Sequence, residues 1–168
     1  MRATLGLLAL STLSACAYTE DGWVFQPFQG PGYTLEEGLV LETDADTTYI
    51  AAATYLPVAR DQLSLFDDRM APIIDEMEAG PEGLVGYSLG QKMVGKEYRT
   101  LTVWEDEEAM VQWAMSEHHL AAIGDAGRIR DPDKTPLIVV WEVSPDALPV
   151  DWAEVMERTD SDGESRGY

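Results

Sequence analysis

Three features of the sequence predict an α+β fold in the order strand, helix, strand, strand, helix, strand. They are a β-branched, nearly uncharged run at 47–57, two apolar stripes at helical spacing, and two strand-like runs separated by a loop of hairpin length. The first run, TTYIAAATYLP, reads as a strand covered on both faces. Over 62–79, Leu63, Phe66, Met70, Ile73 and Met77 fall three and four apart on one helical stripe, and Gly80-Pro81 ends it. Residues 84–91 and 97–104 read as an antiparallel hairpin around Lys92-Met93-Val94-Gly95-Lys96. Asp106 caps a second helix through Met110, Trp113 and Ala114, which Ser116 restarts as far as Ile123, with Gly124 as the stop. The run LIVVWEV at 137–143, bounded by Pro136 and Pro145, is the last strand. This order is that of the ferredoxin-like split βαβ, a four-stranded antiparallel sheet with both helices on one face.

The other face needs a cover. Along the third strand Tyr98, Thr100, Thr102 and Trp104 point one way, and Arg99, Leu101 and Val103 the other, so both faces carry large side chains. An apolar sheet face left bare would be a patch of several hundred Å², which monomers avoid, and face-to-face dimerisation is the cheapest cover.

Composition excludes several functions. The chain of 168 residues carries 31 Asp and Glu against 11 Lys and Arg, a net charge of −20 without a basic cluster, so nucleic acid is not a partner. One cysteine makes no internal disulfide, and two histidines do not fill a zinc site. Before the domain, residues 1–15 have signal-peptide anatomy, with Arg2 followed by Leu5, Leu7, Leu8 and Leu10 and then small residues. The apolar part, 3–15, makes a helix of roughly 20 Å, too short for a lasting transmembrane span. Residues 16–46 hold seven acidic residues, no Lys or Arg, and several glycines, and read as an acidic tether. Trp23, Phe25, Phe28 and Tyr33 are aromatic enough for part of it to fold back on the domain. Beyond the domain at 47–143, residues 144–158 hold a short amphipathic helix after Asp151, and 159–168 read as a disordered tail.

Leu13-Ser14-Ala15-Cys16 resembles the lipobox of bacterial lipoproteins. The resemblance implies cleavage before Cys16, acylation of its thiol and amino group, and a palmitate-bearing anchor in the cell envelope, facing the periplasm. Ala17 after the cysteine favours the outer over the inner membrane by the same resemblance.

Within the domain, Leu84-Val85-Gly86-Tyr87-Ser88-Leu89, then Thr100-Leu101-Thr102-Val103-Trp104-Glu105-Asp106-Glu107-Glu108-Ala109-Met110, then Ser116-Glu117-His118-His119-Leu120-Ala121-Ala122-Ile123, resemble the antibiotic biosynthesis monooxygenase-like superfamily of dimeric α/β-barrel proteins. That resemblance implies a homodimer whose two sheets close into a barrel, with a pocket between sheet and helices in each subunit. Activities in the superfamily run from cofactor-free oxidation of polycyclic phenols to haem degradation, so fold fixes function poorly.

The candidate catalytic residues are His119, Tyr98 and Arg99, and the candidate pocket residues Trp104, Trp113 and Tyr87. His119 is a general base or ligand contact by resemblance and by its titration near neutrality, although a histidine at a helix restart is also an ordinary residue. His118 and His119 point about 100° apart and do not chelate one metal, so no metal is expected. Tyr87 and Tyr98 could orient a phenolic substrate beside Arg99, while tryptophans such as Trp104 and Trp113 also serve as core. No cofactor is expected. Haem is an alternative, but the position that binds its iron by resemblance is Ile123 here. There is no nucleophile elbow and no Ser, His and Asp set. The expected protein is thus a membrane-anchored lipoprotein whose monooxygenase-like domain acts on or binds a small hydrophobic or aromatic molecule. Its alternative is a non-catalytic ligand-binding, haem-binding or interaction lipoprotein.

Overall fold

The structure, a computed structural model, describes residues 17–18, 22–44, 46–92 and 94–165. The signal-peptide and lipobox residues, Cys16 included, lie outside them. In chain order the elements are β1 (Ala17–Tyr18), β2 (Trp23–Phe25), β3 (Tyr33–Thr34), β4 (Gly38–Leu39), β5 (Tyr49–Pro57), α1 (Leu63–Glu78), β6 (Leu84–Lys92), β7 (Glu97–Trp104), α2 (Glu107–Ala114), α3 (Glu117–Ile129), β8 (Leu137–Val143), α4 (Trp152–Asp162) and β9 (Glu164–Ser165).

The middle of the sheet, ordered β6-β7-β5-β8 and antiparallel throughout, is the ferredoxin-like arrangement. On one face lie α1, α2 and α3, with Phe66, Ile73 and Met77 of α1 buried. Arg69 ties α1 to α3 through its Nη2, 2.7 Å from Asp125 Oδ2. The predicted caps form: Asp106 Oδ1 accepts from Ala109 N at 2.8 Å, and Ser116 Oγ accepts from His119 N at 3.4 Å.

The other face departs from expectation, and the barrel expected there is not formed. The sheet does not close, because the chain covers the face itself. Val155 of α4 and Phe28 of the N-terminal arm join Ala51, Ala53, Val85, Leu101, Val103 and Val143 in one buried cluster. The apolar area that made dimerisation the cheapest solution is removed from water within one chain.

Three further expectations change with it. Residues 22–44 are not a free tether: β2 pairs with β6, β1 with β2, and Trp23, Phe25 and Phe28 are buried. Their aromatic area outweighs the repulsion among their carboxylates. The tail is not disordered from Thr159, since α4 runs to Asp162 and β9 pairs with β8. Thr159 itself is fully buried and donates to Val155 O at 2.6 Å. Finally, α3 passes through Gly124 to Ile129, held by the buried Ala126 and Ile129. The cost of a mid-helix glycine, about 1 kcal/mol, is less than that burial returns.

The strand β6 shows how the arm docks. Its register shifts between Leu84 and Gly86, a bulge that leaves Val85 and Gly86 facing the arm and turns Tyr87 to the helices. A Cβ on Gly86 would meet the Phe28 ring, and one on Gly90 the Phe25 ring, so these glycines let two aromatic rings lie flat on the strand. Between them Ser88 donates to Gln26 O at 2.6 Å and accepts from Trp152 Nε1 at 3.0 Å. Phe25 and Trp152 stack at 4.2 Å. The arm and α4 are therefore one cover, joined over the small residues of β6.

Candidate functional site

The arm that covers one face also builds a cleft at the edge of the other. Gln29 exchanges backbone hydrogen bonds with Tyr87 (2.8 and 3.1 Å), and the chain then turns through Pro31 to Tyr33. Facing this turn is the end of α1, where Met77 and Glu78 precede Gly80 at φ +72°. Between them lies an open cleft of about 730 Å³, lined among others by Gln29, Tyr33, Leu35, Met77, Glu78 and Tyr87.

Its chemistry is apolar with an acidic rim. Tyr33, Leu35 and Met77 offer apolar surface, and Glu36 and Glu78 supply carboxylates; no Lys or Arg is among the lining residues. The C-terminal end of α1 adds the negative end of a helix dipole. Tyr87 is 5% exposed. Burial first, and then the Glu78 charge, raise its phenol above the usual range, with the Gln29 side chain offsetting part of the rise. The phenol therefore stays protonated and able to donate at neutral pH.

Behind Tyr87 the predicted pocket residues come together. Met77, Leu84, Tyr87 and Trp104 form one buried cluster with Trp113 packed against it. Trp104 is fully buried, donates from Nε1 to Thr102 Oγ1 at 2.9 Å, and has its ring 5.4 Å from that of Trp113. His119 extends the row, 4.6 Å from Trp113, with Nδ1 2.9 Å from Ala114 O. Burial lowers the His119 pKa, against smaller opposing effects of the Ala114 carbonyl and of Glu76, so the imidazole is neutral at pH 7. Of these residues only Tyr87 and Met77 line the cleft; Trp104, Trp113 and His119 support it from behind.

The three candidate catalytic residues are not brought together. Tyr98 lies against Phe66 of α1, ring centroids 4.2 Å apart. Arg99 is on the opposite face, over the rings of Tyr55 (4.8 Å) and Trp23 (5.3 Å), with Nη2 2.7 Å from Asp160 Oδ1. Alternation along β7 separates these neighbours in sequence, and it also separates Arg99 from His119. Ile123, the position that binds haem iron by resemblance, is a 38% exposed alkyl side chain on α3 with no donor for iron, so the residue at that position does not fit haem. Among the described residues no group of three or more His, Cys, Asp or Glu is placed to hold a metal ion.

Sequence reasoning missed Gln29, Met77 and Glu78 as site residues, and also the spacing Gly86-x-Ser88-x-Gly90. That spacing marks a nucleophile elbow where a strand turns into a helix. Here it lies inside β6, and Ser88 is buried with its hydroxyl engaged on both sides. The three small residues are the docking strip for the cover, and their period of two was the available signal.

The fold is that of an α+β ferredoxin-like domain. Residues 49–125 match the family model described as antibiotic biosynthesis monooxygenase. Among solved structures, the fold is shared with a candidate antibiotic biosynthesis monooxygenase from Caulobacter crescentus, at 17% identity and a TM-score of 0.50, covering 58% of this chain and 92% of that one. A protein from Shewanella oneidensis is similar at 8% identity and a TM-score of 0.50, over 58% of this chain and 93% of that one. A conserved protein from Methanosarcina mazei is similar at 20% identity and a TM-score of 0.49, over 56% of this chain and 92% of that one. No curated protein matches the chain. The family match ends before α4 and begins after the arm, so both parts of the cover lie outside it.

Proposed function

We propose that this protein is an envelope lipoprotein, acylated at Cys16 and facing the periplasm from the outer membrane, whose monooxygenase-type domain binds a small hydrophobic or aromatic molecule in the cleft at Tyr87. The observation that carries the binding half is the cleft itself, with apolar walls, a protonated phenol at Tyr87 and carboxylates at Glu36 and Glu78. Such a lining favours a neutral or cationic ligand that presents a donor to Glu78 and an acceptor to Tyr87, and disfavours an anion. Binding without turnover is the reading favoured by the separation of His119, Tyr98 and Arg99.

Calorimetric titration of the purified chain with 2-naphthol, against 2-naphthoate as the anionic counterpart, tests it. The neutral naphthol should bind saturably and the carboxylate should not. Tyr87→Phe should weaken binding by about 0.5 to 1.5 kcal/mol, the ordinary worth of one hydrogen bond. Equal binding of both compounds, or of neither, overturns the reading of the cleft. Oxygen uptake with bound naphthol would overturn the preference for binding without turnover. The anchoring half is tested by the mass of the mature chain extracted from membranes, which should begin at Cys16 and carry acyl groups.

A further inference from the structure

We infer that the cleft at Tyr87 takes a small apolar molecule carrying an ammonium group, the cation seated between Glu36 and Glu78 and the apolar body along Tyr33, Leu35 and Met77. The inference rests on the cleft being a ligand site, as proposed above, and narrows the ligand from neutral or cationic to cationic.

Each wall of the cleft contributes one carboxylate. Glu36 comes from the turn between β3 and β4, and Glu78 is the last residue of α1. The walls stand close because a glycine follows α1: a Cβ on Gly80 would lie 2.9 Å from Pro31 Cγ, so a side chain there would push the arm's turn away. Glu78 acts into the cleft, since its charge is one of the causes that hold the Tyr87 phenol protonated. The last carbonyls of α1 add the negative end of its dipole at the same place.

The protein's own cations are committed elsewhere. They are scarce, 11 Lys and Arg against 31 acids, and Arg69 and Arg128 pair with Asp125, Lys134 with Glu97, Arg99 with Asp160 and Arg158 with Glu154. Among the described residues no ion pair or side-chain hydrogen bond engages Glu36. The same holds for Glu78, whose influence reaches the Tyr87 phenol only through its charge. An anion is repelled by this field and a neutral ligand gains little from it, whereas an ammonium is attracted by both carboxylates and the helix end together.

Tyr33 supplies the remaining element. Its ring stands edge to face against the buried Phe28, centroids 5.1 Å apart, which fixes it at the wall of the cleft. A fixed aromatic ring beside carboxylates attracts an ammonium through its face. Leu35, 63% exposed, continues the apolar surface past the charged rim and rewards a hydrocarbon body, which a bare metal ion lacks.

Calorimetric titration of the purified chain at pH 7 with 2-naphthylmethylamine, protonated at that pH, against its neutral counterpart 2-naphthylmethanol tests the inference. Exposed ion pairs and an exposed cation–π contact are each weak, and together they should favour the amine by about tenfold. Raising salt from about 0.05 to 0.5 M should shrink that ratio, because the carboxylates stand at an open rim. Glu36→Gln with Glu78→Gln should abolish the preference. Asp67→Asn with Asp68→Asn, two exposed carboxylates toward the other end of α1, should leave it in place. An equal loss in both double variants would mean that the acidic surface as a whole attracts the amine, and overturns the inference. Binding of the alcohol without preference for the amine overturns the cationic class and leaves the cleft a ligand site; binding of neither overturns both. Tighter binding of Nα-acetyl-lysine methylamide than of the naphthyl amine would make a protein lysine the occupant, and overturns the small apolar cation.

Discussion

The two faces of the sheet are covered by different means. One carries α1, α2 and α3, which bury large side chains: Trp104, Phe66 and Met77. The other is lined by small or branched residues, Ala51, Ala53, Val85, Leu101 and Val103, under an irregular arm and one C-terminal helix. The helix face falls largely within the stretch matched by the family model, and the parts that close the other face lie outside it. The arm on that face has also made one wall of the cleft.

Removing the cover is the largest way to break this contrast. A chain ending after Val150 loses α4 and β9 and uncovers Leu101, Val103 and Val143. It should self-associate or aggregate, as light scattering would register against the full chain. A truncated chain that stays monomeric with unchanged thermal stability would mean that α4 is not a cover. Next in size are paired substitutions, one for each face. Trp104→Ala should cost about 3 to 5 kcal/mol by cavity formation on the helix face, and Gly90→Ala about 1 to 3 kcal/mol by forcing Phe25 off β6. Urea unfolding of both variants measures the two faces on one scale.

The smallest effect is the dependence of stability on pH through His119. Its folded pKa lies below the unfolded value of 6.5, because burial disfavours the imidazolium. The unfolded chain therefore binds more protons as pH falls through 6.5, and stability is lost in the window between that value and the lower folded pKa. The slope is at most about 1.4 kcal/mol per pH unit. Melting curves from pH 7.5 to 5 should show a smaller loss in His119→Gln than in the native chain, and equal slopes would mean that the imidazole charges freely where it stands.

The helix face was legible in the sequence because regular periodicity leaves a record. The strand at 97–104 and that at 137–143 have their expected bounds, and Asp106 and Ser116 cap the helices that follow them. Of the other face only parts were legible, the arm's aromatics that could fold back and the helix after Asp151, because its cover has no continuous period. Residues 22–44 are rich in glycine and acid, and their burial depends on rings meeting Gly86 and Gly90 more than fifty residues later. The cleft shared that fate: Tyr87 is recognisable from its strand, but Gln29 becomes its neighbour only once the arm has docked, and Glu78 only once α1 has packed on the sheet. His119, Tyr98 and Arg99 stand out by residue type and resemblance, whereas the alternation along 97–104 already put Tyr98 and Arg99 on opposite faces.

The stack of Phe25 on Trp152 has a consequence for how the chain acquires its structure. It joins a residue near the start of the domain to one near its end, and both rest on β6 in between. Contacts of such separation in sequence form slowly, because a long loop must close before they return any energy. A chain emerging in order of synthesis can assemble the helix side early, but part of the opposite face stays wet until α4 arrives. The cover is therefore completed only by α4, and the interval before it is when a chaperone or a protease would find the chain open.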